Sequence, residues 1–296
     1  MEKIGIIILN WNTSKDTIEC LDSLKEQKFK DFKIYLVDNA SKESEKKILK
    51  NYIKKESILK IKFIENKENL GFAGGNNSAL KEAKKHEHVF LLNNDTTLDK
   101  NCLVELVKTI NLEKNIGAVN PKIYYFDKKD TIWATGANFN NFLLKASLRG
   151  IKEKDNDQYN KEEKLDQLVG AAVLIKSEAL KKSGFFDEKF FCYYEETDLF
   201  QRIKEKGFKL YYSPKSIVYH KVALSSGGIK NPKTVYYLVR NRGLFIVKNF
   251  KGLKKFIGIS SLLIECSIRI IIYILKLSPK RINATLNGFI DFLKSI

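Results

Sequence analysis

Three apolar runs early in this chain stop abruptly in asparagine and aspartate. Residues 4–9 lead into Asn10-Trp11-Asn12, residues 34–37 into Asp38-Asn39, and residues 89–92 into Asn93-Asn94-Asp95. A short, uninterrupted apolar run is the pattern of a strand buried on both faces. Amide and carboxylate groups are costly to bury without partners, so each strand must end where partners exist. Between the runs the spacing becomes helical: Ile18, Leu21 and Leu24 follow the capping residue Ser14, and Ile48, Leu49, Tyr52 and Ile53 follow the second run. A further strand is expected over 61–64 and a helix from about Ala73. Strands alternating with helices predict an α/β fold with a mostly parallel, Rossmann-like sheet flanked by helices. The ligand crevice of such a sheet lies beyond the carboxyl ends of its strands. One polar strand end is an ordinary turn; three alike mark a cleft.

With 296 residues, 44% of them apolar, the chain can bury the core of one large domain with an appendage. The net charge of +18 is unevenly spread: from Lys230 onward there are 13 Lys and Arg against only Glu265 and Asp291. That end suits nucleic acid, an anionic membrane surface or water. The four cysteines form no CxxC pair, which argues against a zinc knuckle or disulfide framework and fits a reducing compartment. The first apolar run is too short for a signal peptide and reads as a strand. Further strands are expected over 117–120, 168–175, 210–212 and 217–219, and helices over 178–182 and 195–206. The charged run 152–164 reads as a mobile loop, and His86 and His88 as a solvated helix end without a role.

Asp95 offers a hard carboxylate beside amide side chains, which suits Mg²⁺ or Mn²⁺ bridging a diphosphate. The stretch GFAGGNN, residues 71–77, is a glycine-rich entry to a helix where backbone N–H groups can approach phosphate, tight loop packing being the alternative. It is neither GxGxxG nor a P-loop, so a dinucleotide oxidoreductase or P-loop NTPase is not supported. In FFDEKFFCYYEETDLFQRIKEKG, residues 185–207, aromatic side chains surround Glu195, Glu196 and Asp198 at the start of a helix. Acids favour a helix N-terminus for electrostatic reasons alone, but aromatic neighbours also desolvate a carboxylate and make it a better proton acceptor. His220 ends a strand shortly afterwards.

ILNWN, VDNAS, GFAGGNN, VFLLNNDTT, YYEETDLFQR, VYH and YYLVRNR occur here in the order seen in family 2 inverting glycosyltransferases, and residues 4–245 resemble the rhamnosyltransferase-like branch of that family. The resemblance implies a GT-A fold and transfer of a sugar from a nucleoside diphosphate sugar to an acceptor hydroxyl. It puts Asn10 and Asp38, with Trp11 and Asn12, around the nucleoside. Gly71, Gly74 and Asn77 would lie near the diphosphate. Asn93-Asn94-Asp95 corresponds to the family's Asp-x-Asp motif, with Asp95 as the retained metal ligand and His220 as a second contact. Arg240 approaches donor phosphate or acceptor. Glu195-Glu196 matches a Glu-Asp pair whose second member is the base, which nominates Glu196 first and Asp198 second. The processive synthases' Gln-x-x-Arg-Trp motif is missing, which implies single addition, and Trp133 is a candidate acceptor platform.

Residues 256–275 contain only Glu265 and Arg269 as charges. Two central charges would cost a spanning helix about 2.5–3.5 kcal/mol each. On a helix, Ser261, Glu265, Arg269, Tyr273 and Lys276 form one polar stripe, so an amphipathic helix in a membrane interface is expected, ahead of packing on the domain. Lys248, Lys251, Lys254 and Lys255 before it, and Lys280 and Arg281 after it, suit anionic lipid.

These observations together predict a catalytic domain over 1–245 and a basic helical tail over 246–296. The enzyme expected is a cytoplasmic, metal-dependent, inverting glycosyltransferase at the inner membrane face, acting on a glycan or lipid-linked acceptor. A sugar nucleotidyltransferase is the second reading. A nucleic-acid-binding protein is disfavoured, because no nucleic-acid module is recognisable, and an inactive scaffold is disfavoured because the acidic positions are nearly all filled.

Overall fold

The computed structural model describes residues 3–222 and 231–295. It opens in strict alternation: β1 (Ile4–Asn10), α1 (Ser14–Lys25), β2 (Phe32–Asp38), α2 (Glu43–Lys55), β3 (Ile61–Glu65), α3 (Gly71–Ala83) and β4 (His88–Asn93). These strands form the parallel array β3-β2-β1-β4. Its register sets Asn10 opposite Asp38, and Leu9 opposite Asn93. The three polar strand ends are therefore level on one edge, which is where the apolar runs had to stop.

The second half of the sheet is mixed. It comprises β5 (Thr96–Leu98), α4 (Cys102–Ile110), β6 (Ile116–Tyr125), β7 (Lys128–Ala134), the hairpin β8 (Ala137–Asn140) and β9 (Lys145–Leu148), β10 (Glu163–Leu165), β11 (Ala172–Lys176), α5 (Ser177–Ser183), α6 (Glu195–Glu205) and β12 (Lys209–His220). β11 runs antiparallel between β4 and β6, and β12 runs parallel to β6, completing a ten-stranded sheet. β5 pairs with the far end of β12 and brings Thr96 opposite His220. The α/β class with a large sheet flanked by helices is as expected. Strand 12 is one element where two short strands were expected, because Ser213 to Ser216 form a bulge rather than a break.

Period-two alternation divides the core. Ile4, Ile6 and Ile8 pack with Phe90, Leu103 and Leu106 on one face, while Ile7, Val37 and Leu91 pack with Ala79, Leu80 and Phe200 on the other. A third cluster, Phe139, Phe190, Phe245, Leu262 and Phe292, joins the β8–β9 hairpin to α7 (Pro232–Asn249), α8 (Gly252–Leu275) and α9 (Pro279–Lys294).

Three expectations need correction. The boundary after residue 245 falls inside α7, whose Phe245 and Ile246 are fully buried in that shared cluster. The run 152–164 is pinned: Lys122, itself 3% exposed, donates to Asp155 (2.7 Å) and Asn160 (2.9 Å). His86 and His88 are buried beside β1 and β2, with His86 bonded to the Tyr35 hydroxyl at 2.9 Å. Burial pushes the His88 imidazole down to about 4.

Candidate active site

The strand ends are tied together by side-chain amides. Buried Asn10 donates through Nδ2 to Asp38 Oδ1 (2.9 Å) and Ser41 Oγ (3.1 Å), while its Oδ1 accepts from Thr17 (2.9 Å). Thr17 in turn accepts from Asn94, which also donates to Thr13 at 2.7 Å. The second Asp38 oxygen accepts from the Ser41 amide (3.0 Å). Asn12, at φ 58°, donates its backbone N–H to Ser41 and accepts from the Lys42 amide, leaving Trp11 exposed at the rim. This network locks the β1–α1 and β2–α2 turns, because an unmade hydrogen bond in a buried site is expensive. Thr13, Thr17 and Ser41 were not expected; the only trace of Ser41 in the sequence is its turn-like offset from Asp38.

The glycine-rich stretch packs tightly against protein backbone, the alternative open for it in the sequence. At Gly71 (φ +70°) an added Cβ would lie 2.4 Å from the Phe191 carbonyl oxygen, and that oxygen accepts from the Ala73 amide at 3.1 Å. Gly74 presses on Leu70, with Glu188 nearby. Asn77 donates to the Phe186 carbonyl and to Glu188, both at 2.9 Å, and accepts from the Phe186 amide. The close approach glycine permits is used by protein backbone here, so Gly71, Gly74 and Asn77 form a socket for residues 186–191.

That socket supports the acid pair. Phe191, Tyr193 and Tyr194 all adopt positive φ, between 61° and 72°, immediately before α6. Such backbone is strained outside glycine and persists only when its surroundings hold it. Asn241 of α7 does so, donating to the carbonyls of Phe190 (2.6 Å), Cys192 (2.7 Å) and Tyr193 (2.8 Å). Glu195, 4% exposed, and the half-buried Glu196 each keep one carboxylate oxygen buried without a hydrogen-bond partner. Burial raises both pKa values, and the neighbouring Glu196 charge raises Glu195 further. Glu196 lies over Gly170, where an added Cβ would be 3.4 Å from its own Cβ. The next residue, Ala171, accepts from the Asn93 amide at 2.8 Å, so Glu196 and the Asn-Asn-Asp turn border the same edge.

Asp198 differs. It is fully buried and engaged by Arg202 (2.8 Å), Lys248 (3.0 Å) and Asn249 (3.0 Å). A carboxylate committed to two cations and an amide is a structural tie, which leaves Glu195 and Glu196 as the acids here without a cationic partner. Arg240 Nη1 donates to Asn241 Oδ1 at 3.1 Å, behind the clamped loop.

Across the edge, His220 Nε2 is 3.1 Å from Asp95 Oδ1, both residues being buried. The Lys221 amide donates to the Asp95 carbonyl, and the Trp133 ring meets the imidazole edge-on at 4.5 Å. Trp133 thus orients His220, a contact that no local pattern around either residue announces. Among the described residues no cluster of three or more His, Cys, Asp or Glu side chains is arranged around a metal. The pair nevertheless fits one: Mg²⁺ and Mn²⁺ take few protein ligands when a substrate phosphate and water complete the shell.

A large, mostly parallel sheet flanked by helices is the GT-A class of α/β fold, and solved structures agree. A mannosyltransferase from Pyrobaculum calidifontis, determined with GDP-Man and Mn²⁺, superimposes with a TM-score of 0.61 at 16% identity over 97% of this chain and 74% of that one. Residues 5–184 match the family model described as Glycosyl transferase family 2, and the chain belongs to that family. The low-salt glycan biosynthesis hexosyltransferase Agl10 of Haloferax volcanii is 23% identical over 250 residues, 82% of this chain and 75% of that protein. The teichoic acid poly(glycerol phosphate) polymerase of Staphylococcus epidermidis is 28% identical over 165 residues, 51% of this chain. The chain spans only 22% of that polymerase's length.

Proposed function

We propose that this chain is a metal-dependent, inverting glycosyltransferase that adds one sugar from a nucleoside diphosphate donor, rhamnose-type or similar, to a hydroxyl of a glycan or lipid-linked acceptor at the cytoplasmic membrane face. The observation that carries the reading is the half-buried Glu196, one carboxylate oxygen without a hydrogen-bond partner, bordering the same sheet edge as Asp95 and His220.

In a single displacement the acceptor oxygen bonds to the anomeric carbon as the bond from that carbon to the diphosphate oxygen breaks. The electron pair leaves with the diphosphate, and the hydroxyl proton goes to a base. Glu196 is the base: burial raises its pKa, and a carboxylate of raised pKa draws a hydroxyl proton more strongly. Glu195, 4% exposed, is too enclosed to meet a substrate. Asp95 and His220 would hold the metal, with Trp133 packed against the imidazole, and a metal bound there would supply positive charge to the departing diphosphate. Asn10 and Asp38 frame the nucleoside side of the crevice, with Trp11 at its rim, and Arg240 approaches donor phosphate or acceptor. The Mn²⁺ and GDP-Man of the archaeal mannosyltransferase support a donor of this class.

A thermal-shift screen of nucleotide sugars with and without Mn²⁺ tests the reading, since a ligand at a hundred times its Kd stabilises by about 2.7 kcal/mol. One donor giving a metal-dependent shift, followed by release of nucleoside diphosphate on turnover, is the expected result. Release of pyrophosphate would make the chain a nucleotidyltransferase instead.

A further inference from the structure

The C-terminal helices are built inside out. The polar stripe of α8 faces the protein: Glu265 accepts from Lys145 of β9 at 3.0 Å, from Arg242 of α7 and from Arg269. Ser261 accepts from Arg242, whose guanidinium also donates to the Leu143 carbonyl, and the small residues Gly258 and Cys266 are buried beside them. The opposite face is bare. Phe256 is 69% exposed, Ile264 61%, Ile271 58% and Leu275 79%. These positions follow helical spacing, and position 256 is half a turn out of phase with Glu265 at about 3.6 residues per turn. α9 exposes a shorter stripe, Leu286, Ile290 and Leu293, and Phe142 is exposed in the β8–β9 turn beside α8. An apolar surface of this extent marks an interaction site rather than ordinary scatter.

Its borders carry a single sign of charge. Lys251, Lys254 and Lys255 stand at the start of α8, Lys276 and Lys280 at its end, and none has a carboxylate partner among the described residues. We propose that α8, with α9 and the β8–β9 turn, is a preformed platform that lies flat on an anionic membrane surface, its bare face among the acyl chains and its lysines at the headgroups. The 24-residue helix is long and apolar enough to cross a bilayer. Its middle is nonetheless fixed to the domain through Glu265, and withdrawing it would strip buried Arg242 of its counter-charge. A second copy is a poorer occupant, because pairing this face with itself in the antiparallel sense sets one lysine cluster against the other.

The proposal builds on the transferase reading by naming where its acceptor is presented, and it adds a mechanical link. α7 carries both Arg242, which seats α8, and Asn241, which holds the loop before Glu195, so membrane contact and the acid pair share one rigid helix.

The test is flotation of the full chain with phosphatidylglycerol-containing vesicles and with pure phosphatidylcholine vesicles, a readout independent of sugar transfer. Two variants accompany it: Phe256→Glu/Ile264→Glu/Ile271→Glu, and Lys251→Gln/Lys254→Gln/Lys280→Gln, which alters exposed charge alone and keeps the test valid if the first fails to fold. The wild type should float with the anionic vesicles and release in high salt, and each lysine lost should weaken binding about fivefold. Both variants should keep the wild-type donor-induced thermal shift. A wild type that stays with the unbound fraction, or a lysine variant that floats undiminished, overturns the proposal. A wild type that dimerises through this face without floating overturns it as well. A chain that floats but shows no donor shift keeps the platform and sinks the transferase reading.

Discussion

His220 Nε2 lies 3.1 Å from Asp95 Oδ1 although 125 positions separate them, because β5, immediately after Asp95, pairs antiparallel with the last residues of β12. This pairing gives the first prediction. Asp95→Asn preserves the shape of the turn and removes the charge, so the Mn²⁺-dependent part of donor stabilisation should disappear while any metal-independent shift persists. His220→Ala should weaken it less, since phosphate and water can take one vacated position. A metal-dependent shift in Asp95→Asn equal to wild type would remove Asp95 from the metal site.

Glu196 yields the second prediction. Glu196→Gln should lower turnover by about 10²–10⁴-fold, the usual contribution of a positioned base, with donor affinity unchanged. Glu196→Asp should retain more turnover than the amide, because it keeps a base of the right kind and only shortens its reach. Burial raises the Glu196 pKa, so the acid limb of the pH–rate profile should fall above the ordinary glutamate value of about 4.3. Wild-type turnover in Glu196→Gln would remove Glu196 from the base role.

Glu195 should register in stability. Its folded pKa is raised above the unfolded value by burial and by Glu196. The stability it contributes is therefore full below the unfolded pKa and lost as pH rises through the folded one. Melting temperature should fall across that window in the wild type and fall less in Glu195→Gln, so the two curves should separate towards neutral pH. Parallel curves from pH 4 to 8 would show that Glu195 ionises without penalty.

The parallel half of the fold was legible because its signal is local. Strands 1, 2 and 4 announce themselves by apolar runs that break in Asn10, Asp38 and Asn93, and their register follows once they pair in parallel. Strands 5 and 7–10 and helices 4 and 7 were not anticipated. The hairpin is held by Phe139 and Leu144 against α7 and α8, partners more than a hundred positions away, and the charged run after it is fixed by a buried lysine at 122. The site divides the same way. Residue types at strand ends and at the start of α6 pointed to the crevice, but distant contacts set their roles. The backbone of Phe191 fills the approach offered by Gly71, Lys248 and Asn249 engage Asp198, and Trp133 settles beside His220. The polar stripe of α8 was visible too. Its inward orientation depends on Lys145 and Arg242, which the helix's own sequence does not contain.

Asn241 supports the last prediction. Its single amide nitrogen serves three backbone carbonyls, at Phe190, Cys192 and Tyr193, in a loop where Phe191, Tyr193 and Tyr194 have positive φ. Asn241→Ala removes the donor from all three, and leaving buried acceptors unmet costs about 1–3 kcal/mol. That loss is small beside the stability of a domain this size, so the chain should stay folded with a lowered melting temperature. The loop, no longer held, should relax toward ordinary backbone and carry the start of α6 with it. Turnover should therefore fall by an order of magnitude or more through kcat, with donor affinity preserved because Asp95, His220, Asn10 and Asp38 lie on other elements. Asn241→Asp, which keeps the shape but turns acceptor oxygens toward acceptor carbonyls, should be worse than alanine. A purely structural Asn241 would instead lower melting temperature with kcat and donor affinity intact, and that result would detach α7 from the control of Glu196.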